Sequence, residues 1–371
     1  MPGLREPSIK KKRHGSESYT RLRSHYGGGV GSRFWPSSTE ERPKQFLDIL
    51  GVGKSLLRMT YERCLKFVKN ENIIVITNSR YFGLVKNEIP EMDENNILLE
   101  PSRNNTAPCL AYACLRIRAV EGNAVFAVLP SDHVILKEEE FASLMNRSMD
   151  YARKQEAIVT LGISPTRPDT GYGYIRMSNE GDLPYKVKAF VEKPNTAKAE
   201  AYLASGEYLW NAGIFIWSTS TLLQAFATHE PGILDILDAQ PGIYNTPGEQ
   251  AFIDMAYPST KNISIDFAVL EKADNVYTLP ADIGWSDLGT WGSLYDYQEK
   301  SSSGNVEHLK GDHYLEDVEN CLIRTQVQKR VIIRGIKGLV VVDEQDALLI
   351  YPIDKEQEIK NAIPKLGENK K

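Results

Sequence analysis

Gly28-Gly29-Val30-Gly31-Ser32-Arg33, followed closely by Arg42-Pro43-Lys44, is the stretch on which the reading of this chain turns. Glycines let the backbone adopt positive φ and let main-chain N–H groups approach a ligand with no Cβ in the way. Successive N–H groups of that kind form a cradle for phosphate. Arg33 and Lys44 can neutralise a polyphosphate from the same side. Taken alone such a turn is more often structural; its weight comes from agreement with motifs further along.

A glycine turn of this kind leaves a buried parallel strand, which reads as a continuous apolar run. Ser18-Tyr19-Thr20-Arg21-Leu22-Arg23-Ser24-His25-Tyr26 does not read that way. Two arginines and a histidine stand where a central strand wants apolar side chains, so local sequence and motif conflict. Residues 1–26 are therefore set apart as an aberrant or disordered N-terminal segment. Codons that spell Ser-His-Tyr-Gly-Gly, read one base later, can spell Val-Ile-Met-Ala-Gly. That is the apolar approach the turn lacks, and it points to a displaced reading frame before Val30.

From Ser55 onward the periodicity is regular. Leu56, Leu57, Thr60, Tyr61, Cys64, Leu65 and Val68 share one helical face, with Ser55 placed to cap it. Ile73 to Thr77 and Ile97 to Leu99 read as strands, Thr106 to Val120 as a helix, Ala124 to Leu129 as a strand ending at Pro130. Glu138 to Lys154 is helical and Ala157 to Gly162 a strand. Further on come Val187 to Glu192 and Gly213 to Trp217 (strands), and Thr196 to Ala204 and Ser220 to His229 (helices). Alternating strands and helices predict an α/β fold with a doubly wound, mostly parallel, Rossmann-like sheet. This domain spans residues 27–297. After Ser301-Ser302-Ser303-Gly304, short β-rich runs follow one another: Cys321 to Ile323, Val331 to Ile333, Leu339 to Val342 and Ala347 to Ile350. Residues 305–371 read as a small C-terminal β domain, its regular spacing compatible with a short β-solenoid, closed by a helix from Lys355 to Leu366.

Composition sets bounds on function. The chain has 371 residues, 42% hydrophobic and 25% charged, with a net charge of −5. That is ordinary for a soluble globular protein and speaks against a general nucleic-acid binder. Lys10-Lys11-Lys12-Arg13 reads as a solvated tail. Cys64, Cys109, Cys114 and Cys321 have no C-x-x-C spacing and read as reduced thiols of a cytoplasmic protein. No run reaches membrane-span length. The oligomeric state is open, a homodimer among the options.

Leu129-Pro130-Ser131-Asp132-His133 puts a carboxylate just past a strand end, where ligands of open α/β sheets sit. Gly284-Trp285-Ser286-Asp287-Leu288-Gly289 offers a second one. Mg²⁺ takes one or two carboxylates together with phosphate oxygens and water, so Asp132 and Asp287 are the candidate metal ligands. Seen alone, Asp132 would more often cap the next element, and Asp282 near the second loop reads as structural. Phe190-Val191-Glu192-Lys193-Pro194 ends a strand with an acid and a base, suited to a sugar hydroxyl and a sugar phosphate, or to a surface ion pair. Gly171-Tyr172-Gly173 brings backbone close to a ligand or bends a strand. Asn211 carries an amide that can both donate to and accept from a diol. Glu100-Pro101-Ser102-Arg103-Asn104-Asn105-Thr106 runs from a strand end to a helix start and could read a base edge or cap the helix. No Ser-His-Asp or Cys-His arrangement stands out. A phosphate oxygen acting as nucleophile is already anionic and needs no base, only positioning and charge neutralisation.

These stretches, in this order and spacing, resemble the bacterial mannose-1-phosphate guanylyltransferases, or GDP-mannose pyrophosphorylases, of the sugar nucleotidyltransferase family. The resemblance runs from about Gly28 to Leu366. Phe34-Trp35-Pro36, Asn105-Thr106-Ala107-Pro108 and the Trp-Ser-Asp-Leu-Gly loop point to the guanylyl, mannose branch. It implies transfer of GMP from GTP to α-D-mannose 1-phosphate with Mg²⁺, giving GDP-mannose and pyrophosphate. Gly28, Gly29, Gly31, Arg33 and Lys44 would hold the triphosphate, and Asp132 and Asp287 the metal. Lys193 would steady the sugar phosphate; Gly173, Glu192 and Asn211 would contact mannose; Glu100, Asn105 and Thr106 would lie near guanine. Two departures stand out. Many relatives carry Arg where this chain has Asn104, with Arg103 one place earlier. The family's first strand is an apolar run ending in Met-Ala-Gly-Gly. A pyrophosphorylase for another base or sugar, or an impaired homologue with a binding role, are the competing readings.

Overall fold

A computed structural model describes residues 18–23, 31–178 and 180–367. Gly28, Gly29 and the expected frame displacement across Ser24 to Gly28 lie outside the described residues. The first half runs β1 (Ser18–Arg23), α1 (Leu56–Cys64), β2 (Ile73–Asn78), α2 (Phe82–Glu88), β3 (Ile97–Glu100), α3 (Thr106–Glu121) and β4 (Val125–Pro130). It continues through β5 (Val134–Ile135), α4 (Glu138–Lys154) and β6 (Ile158–Ile163) to β7 (Tyr174–Met177), β8 (Tyr185–Val191), α5 (Thr196–Ser205) and β9 (Tyr208–Ser218). Then come α6 (Thr219–His229), α7 (Pro231–Leu237), α8 (Glu249–Ala256), β10 (Val276–Pro280), β11 (Trp285–Ser286) and α9 (Trp291–Tyr297).

Nine strands form one sheet in the order β3-β2-β1-β4-β9-β6-β10-β8-β7. The first four are parallel. β9 runs antiparallel to both β4 and β6, β10 is parallel to β6, and β7 and β8 close the far edge antiparallel. The expected doubly wound sheet is thus parallel on one side and mixed on the other. Helices cover both faces. One core gathers α3, α6 and α7 around Phe126, Phe215 and Trp217; the other packs α1, α2 and α4 against Val75, Ala127 and Val159. Each such buried side chain contributes roughly 1.5–3 kcal/mol.

One expectation needs correction. Ser18–Arg23, set aside as part of an aberrant or disordered segment, forms an interior strand of the sheet, between β2 and β4. Thr20 sits opposite Ile73 and Ala127, Arg23 opposite Ile76 and Pro130. The physical reason is main-chain pairing. β2 and β4 are buried along their whole length, and their facing edges present N–H and C=O groups that only an extended chain between them can satisfy.

The C-terminal part comprises β12 (Val306–His308), β13 (His313–Glu319), β14 (Leu322–Thr325), β15 (Val331–Lys337), β16 (Leu339–Asp343), β17 (Leu348–Pro352) and α10 (Ile359–Ala362). β12, β14 and β16 stack in parallel, as do β13 and β15, which are the rungs of a short β-helix. The closing helix is broken: 3-10 turns at Ile353–Glu358 and Ile363–Gly367 flank α10. This segment does not stand apart. Ile359 and the β-helix residues Val306, Leu322 and Val340 share a core with Phe34, Leu47, Leu288 and Trp291.

Candidate active site

β4 is an apolar, fully buried strand that stops at Pro130, whose nitrogen cannot donate to a ladder. The chain leaves the sheet there, at the carboxyl end of the parallel strands, and delivers Asp132 and His133. It then forms β5, which pairs with β11: Ile135 faces Trp285 and Val134 faces Ser286. That two-residue ladder places Asp287 beside Asp132 despite their distance in sequence.

The glycine turn meets them through Lys44. Gly31 has φ +67°, and a Cβ there would stand 3.1 Å from Lys44 Cβ and Ser38 Oγ, so this position needs glycine. The Lys44 side chain, only 8% exposed, runs under the turn. Its ammonium donates to Asp132 Oδ2 at 3.2 Å and to the main-chain oxygen of Asp287 at 2.5 Å. Arg33 stands in the 3-10 turn that follows Gly31. Its Nε is buried with no hydrogen-bond partner among the described residues, a donor available to a ligand.

Each carboxylate has its own support. Asp287 Oδ1 accepts from the Tyr172 hydroxyl at 2.7 Å and from the Gly289 N–H at 3.2 Å. Burial, reinforced by the Asp287 charge, pushes the Tyr172 phenol far up, so it serves as a donor. Beside Asp132, the Trp285 indole N–H donates to His133 Nδ1 at 3.2 Å. That leaves the His133 proton on Nε2, which lies 3.8 Å from Asp132 Oδ1. Burial lowers the imidazole's pKa below its ordinary value of 6.5. His133 is therefore a neutral neighbour that orients the loop.

No group of three or more His, Cys, Asp or Glu side chains among the described residues could hold an ion unaided. Two hard oxygen donors around one buried ammonium fit a different kind of site. Mg²⁺ is commonly held by one or two carboxylates, with substrate phosphates and water completing the shell.

The three residues expected at the sugar do converge. A Cβ on Gly173 would lie 2.5 Å from Glu192 Oε2 and 3.3 Å from Asn211 Cβ, so a small concavity exists only because position 173 is glycine. Lys193, at φ +45° and 64% exposed, pairs with Glu192 Oε1 at 2.7 Å. Asn211 donates to Asp266 Oδ1 at 3.2 Å and accepts from Gly213 N at 3.0 Å. Sequence reasoning missed Asp266. It opens a π-turn, Asp266–Leu270, a feature that often marks functional sites, but no spacing signal announces such a turn. Tyr172 was read only as part of a glycine-flanked bend, and its reach to Asp287 depends on the fold.

The residues expected near a base hold their own loop together. Glu100 is buried and accepts from Tyr257 OH. The Asn105 side chain caps α3 by accepting from Thr106 N at 2.9 Å, and Thr106 Oγ1 accepts from Ile265 N. Asn104 is buried too, donating to the Thr260 main-chain oxygen at 2.8 Å. Beyond Tyr172, a cavity of about 410 Å³ is walled by Tyr172, Trp210 and Trp285, with Arg167 among its lining residues.

Comparison with known proteins agrees with this layout. Residues 26–304 match the nucleotidyl transferase family model, and residues 311–366 match the MannoseP isomerase/GMP-like beta-helix domain. The chain is 36% identical to mannose-1-phosphate guanylyltransferase of Klebsiella pneumoniae, over 93% of this chain and 73% of that protein. It is 35% identical to mannose-1-phosphate guanylyltransferase of Escherichia coli with the same coverage. A crystal structure from Thermus thermophilus, described as a mannose-1-phosphate geranyltransferase, superposes with a TM-score of 0.84 at 30% identity. It covers 95% of this chain and 99% of its own.

Proposed function

The chain belongs to the nucleotidyl transferase family, and from that premise we propose that it transfers GMP from GTP to α-D-mannose 1-phosphate, giving GDP-mannose and pyrophosphate. The observation that carries this reading is the meeting of Lys44, Asp132 and Asp287 beside the Gly31 turn. The guanylyl and mannose specificity is supported by what the Klebsiella and Escherichia relatives are named for.

In the proposed reaction an oxygen of the sugar phosphate attacks the α-phosphorus of GTP. The new P–O bond forms as the bond to pyrophosphate breaks in line. The nucleophile is anionic already, so catalysis reduces to positioning and charge. Lys44 holds the loops of Asp132 and Asp287 in register and brings positive charge against the triphosphate. Arg33 turns its buried donor toward the same phosphates. Asp132 and Asp287 would hold Mg²⁺, whose chemistry when bound is to neutralise charge building up on phosphate oxygens. Glu192, Asn211 and the main chain at Gly173 receive the mannose hydroxyls, and exposed Lys193 meets the sugar phosphate. Glu100, Asn105 and Thr106 shape the base pocket by fixing the loop before α3. A cytoplasmic setting is part of the proposal: all four cysteines are buried and their spacing is that of reduced thiols.

The deciding experiment is pyrophosphate release from GTP with mannose 1-phosphate and Mg²⁺, run beside a panel of other nucleoside triphosphates and hexose 1-phosphates. GTP with mannose 1-phosphate should lead the panel, and the product should have the mass of GDP-mannose. Faster turnover with another pair would replace this reading.

A further inference from the structure

Among the pieces joined in the third core of the molecule, three bear on the site. Phe34 comes from the turn that carries Arg33. Leu288 and Trp291 follow Asp287. Ile353, Ile359 and Ile363 come from the C-terminal segment. At the edge of this apolar contact stands a half-buried carboxylate, Glu356. It accepts from the main-chain N–H of Gly292. That donor belongs to the first turn of α9, whose N-terminus Thr290 and Ser293 close with a reciprocal capping box. The 3-10 turn that carries Arg33 packs against the 3-10 turn Ile353–Glu358 that carries this carboxylate. A hydrophobic side chain would pack this position without the desolvation cost of a charge. The carboxylate is thus placed against the start of the helix that follows the Asp287 loop.

We propose that Glu356 is a positioning residue: from the C-terminal segment it holds the loop following Asp287 in fixed register. The proposal rests on the reading of the site given above. Through Gly292 it fixes where Asp287 stands. The C-terminal segment then serves catalysis as well as packing.

Three variants test this: Glu356→Gln, which keeps an acceptor and the volume but removes the charge; Glu356→Ala, which removes both; and Glu358→Gln, an exposed neighbour losing the same charge. Steady-state constants are measured well below the melting temperature, with amide hydrogen exchange over residues 284–293 recorded without substrate. We expect Glu356→Gln to raise KM for GTP roughly tenfold, the scale of losing one charged contact, with no fall in melting temperature at neutral pH. Glu356→Ala should in addition lower kcat roughly tenfold and speed exchange at Gly292. Glu358→Gln should match the parent. Constants within about twofold of the parent in both Glu356 variants, well under one lost charged contact, would overturn the proposal. So would losses that only follow a fall in melting temperature, or that Glu358→Gln reproduces. Should the alanine variant fail to fold, the glutamine variant decides by the same KM criterion. Should the parent turn over neither substrate, the functional reading falls, and exchange at Gly292 still judges the tether: unchanged protection in the variants refutes it.

Discussion

Lys44 and Asp132 form a buried ion pair, 3.2 Å from Nζ to Oδ2, that bridges the glycine turn and the end of the central parallel strands. Their side chains are 8% and 12% exposed. Breaking such a pair by removing one partner typically costs about 3–5 kcal/mol, because the other charge stays buried. Lys44→Met should therefore lower the melting temperature in EDTA, and Asp132→Asn added to it should recover part of the loss. A double-mutant cycle measures this; coupling below about 0.5 kcal/mol would mean the pair does not hold the two loops together. The same Lys44 variant should lose affinity for GTP more than for the sugar phosphate.

Tyr172 steers Asp287 through one hydrogen bond of 2.7 Å. Tyr172→Phe removes only the hydroxyl. Hydrogen bonds to charged groups are worth about 1.5–3 kcal/mol, so kcat/KM should drop by roughly tenfold or more, with a higher Mg²⁺ requirement and an unchanged fold. Asp287→Ala and Asp132→Ala should cost at least ~10²-fold in turnover, the scale of losing one preorganised charge contact. A Mg²⁺ titration of rates across the three variants checks the order.

At the sugar end, a methyl group on position 173 would press against Glu192 Oε2 and Asn211. Gly173→Ala should raise KM for mannose 1-phosphate while leaving KM for GTP near the parent value. Lys193→Ala should do likewise through loss of charge. Varying each substrate in turn separates these variants from Lys44→Met, and the reverse pattern would exchange the assignments of Lys44 and Lys193.

Burial raises the carboxyl pKa values of Glu344 and Glu356 above their ordinary 4.5. Glu344 accepts from Ser37 and Glu356 from Gly292, so both lie where the C-terminal part meets the body. A carboxyl raised on folding contributes stability that is fully present below its unfolded pKa and lost as pH rises through its folded one. Thermal melts should therefore show the Glu344→Gln, Glu356→Gln double variant gaining on the parent as pH rises from about 4.5 toward neutrality. A gap that shrinks over that range would contradict the sign.

Much of this architecture was legible because apolar periodicity and capping agreed. α4 begins at Glu138 and ends at Lys154 as its pattern indicates, and Ser55 caps α1 by accepting from Arg58 N. Legibility failed where tertiary contact overrides local preference. β9 spans Tyr208–Ser218, though only Gly213 to Trp217 reads as a strand. The half that was missed leads into Gly213 at φ +69°, and the register with β6 shifts between Thr160 and Gly162. The closing segment breaks into 3-10 and α turns around Pro364 because docking into the shared core sets its path. β1 is the extreme case: its side-chain pattern argues against a strand, and pairing with β2 and β4 makes it one. Of the site, carboxylates at strand ends could be found from spacing. Tyr172, Trp285 and Asp266, which support Asp287, His133 and Asn211, could not, since each acts across a contact that exists only after folding.

Phe34 lies edge-on to Trp291 with ring centroids 4.8 Å apart, and the Trp291 indole N–H donates to the Trp35 main-chain oxygen at 3.0 Å. These residues flank the glycine turn and the Asp287 loop, and the β-helix covers them. The boundary near residue 300 is consequently no place where evolution or an engineer can cut and splice freely. A β-helix exchanged from a distant relative would have to arrive with matching partners for Phe34, Leu288 and Trp291. A substitution that reshapes one side of this contact should therefore be relieved by a complementary one on the other.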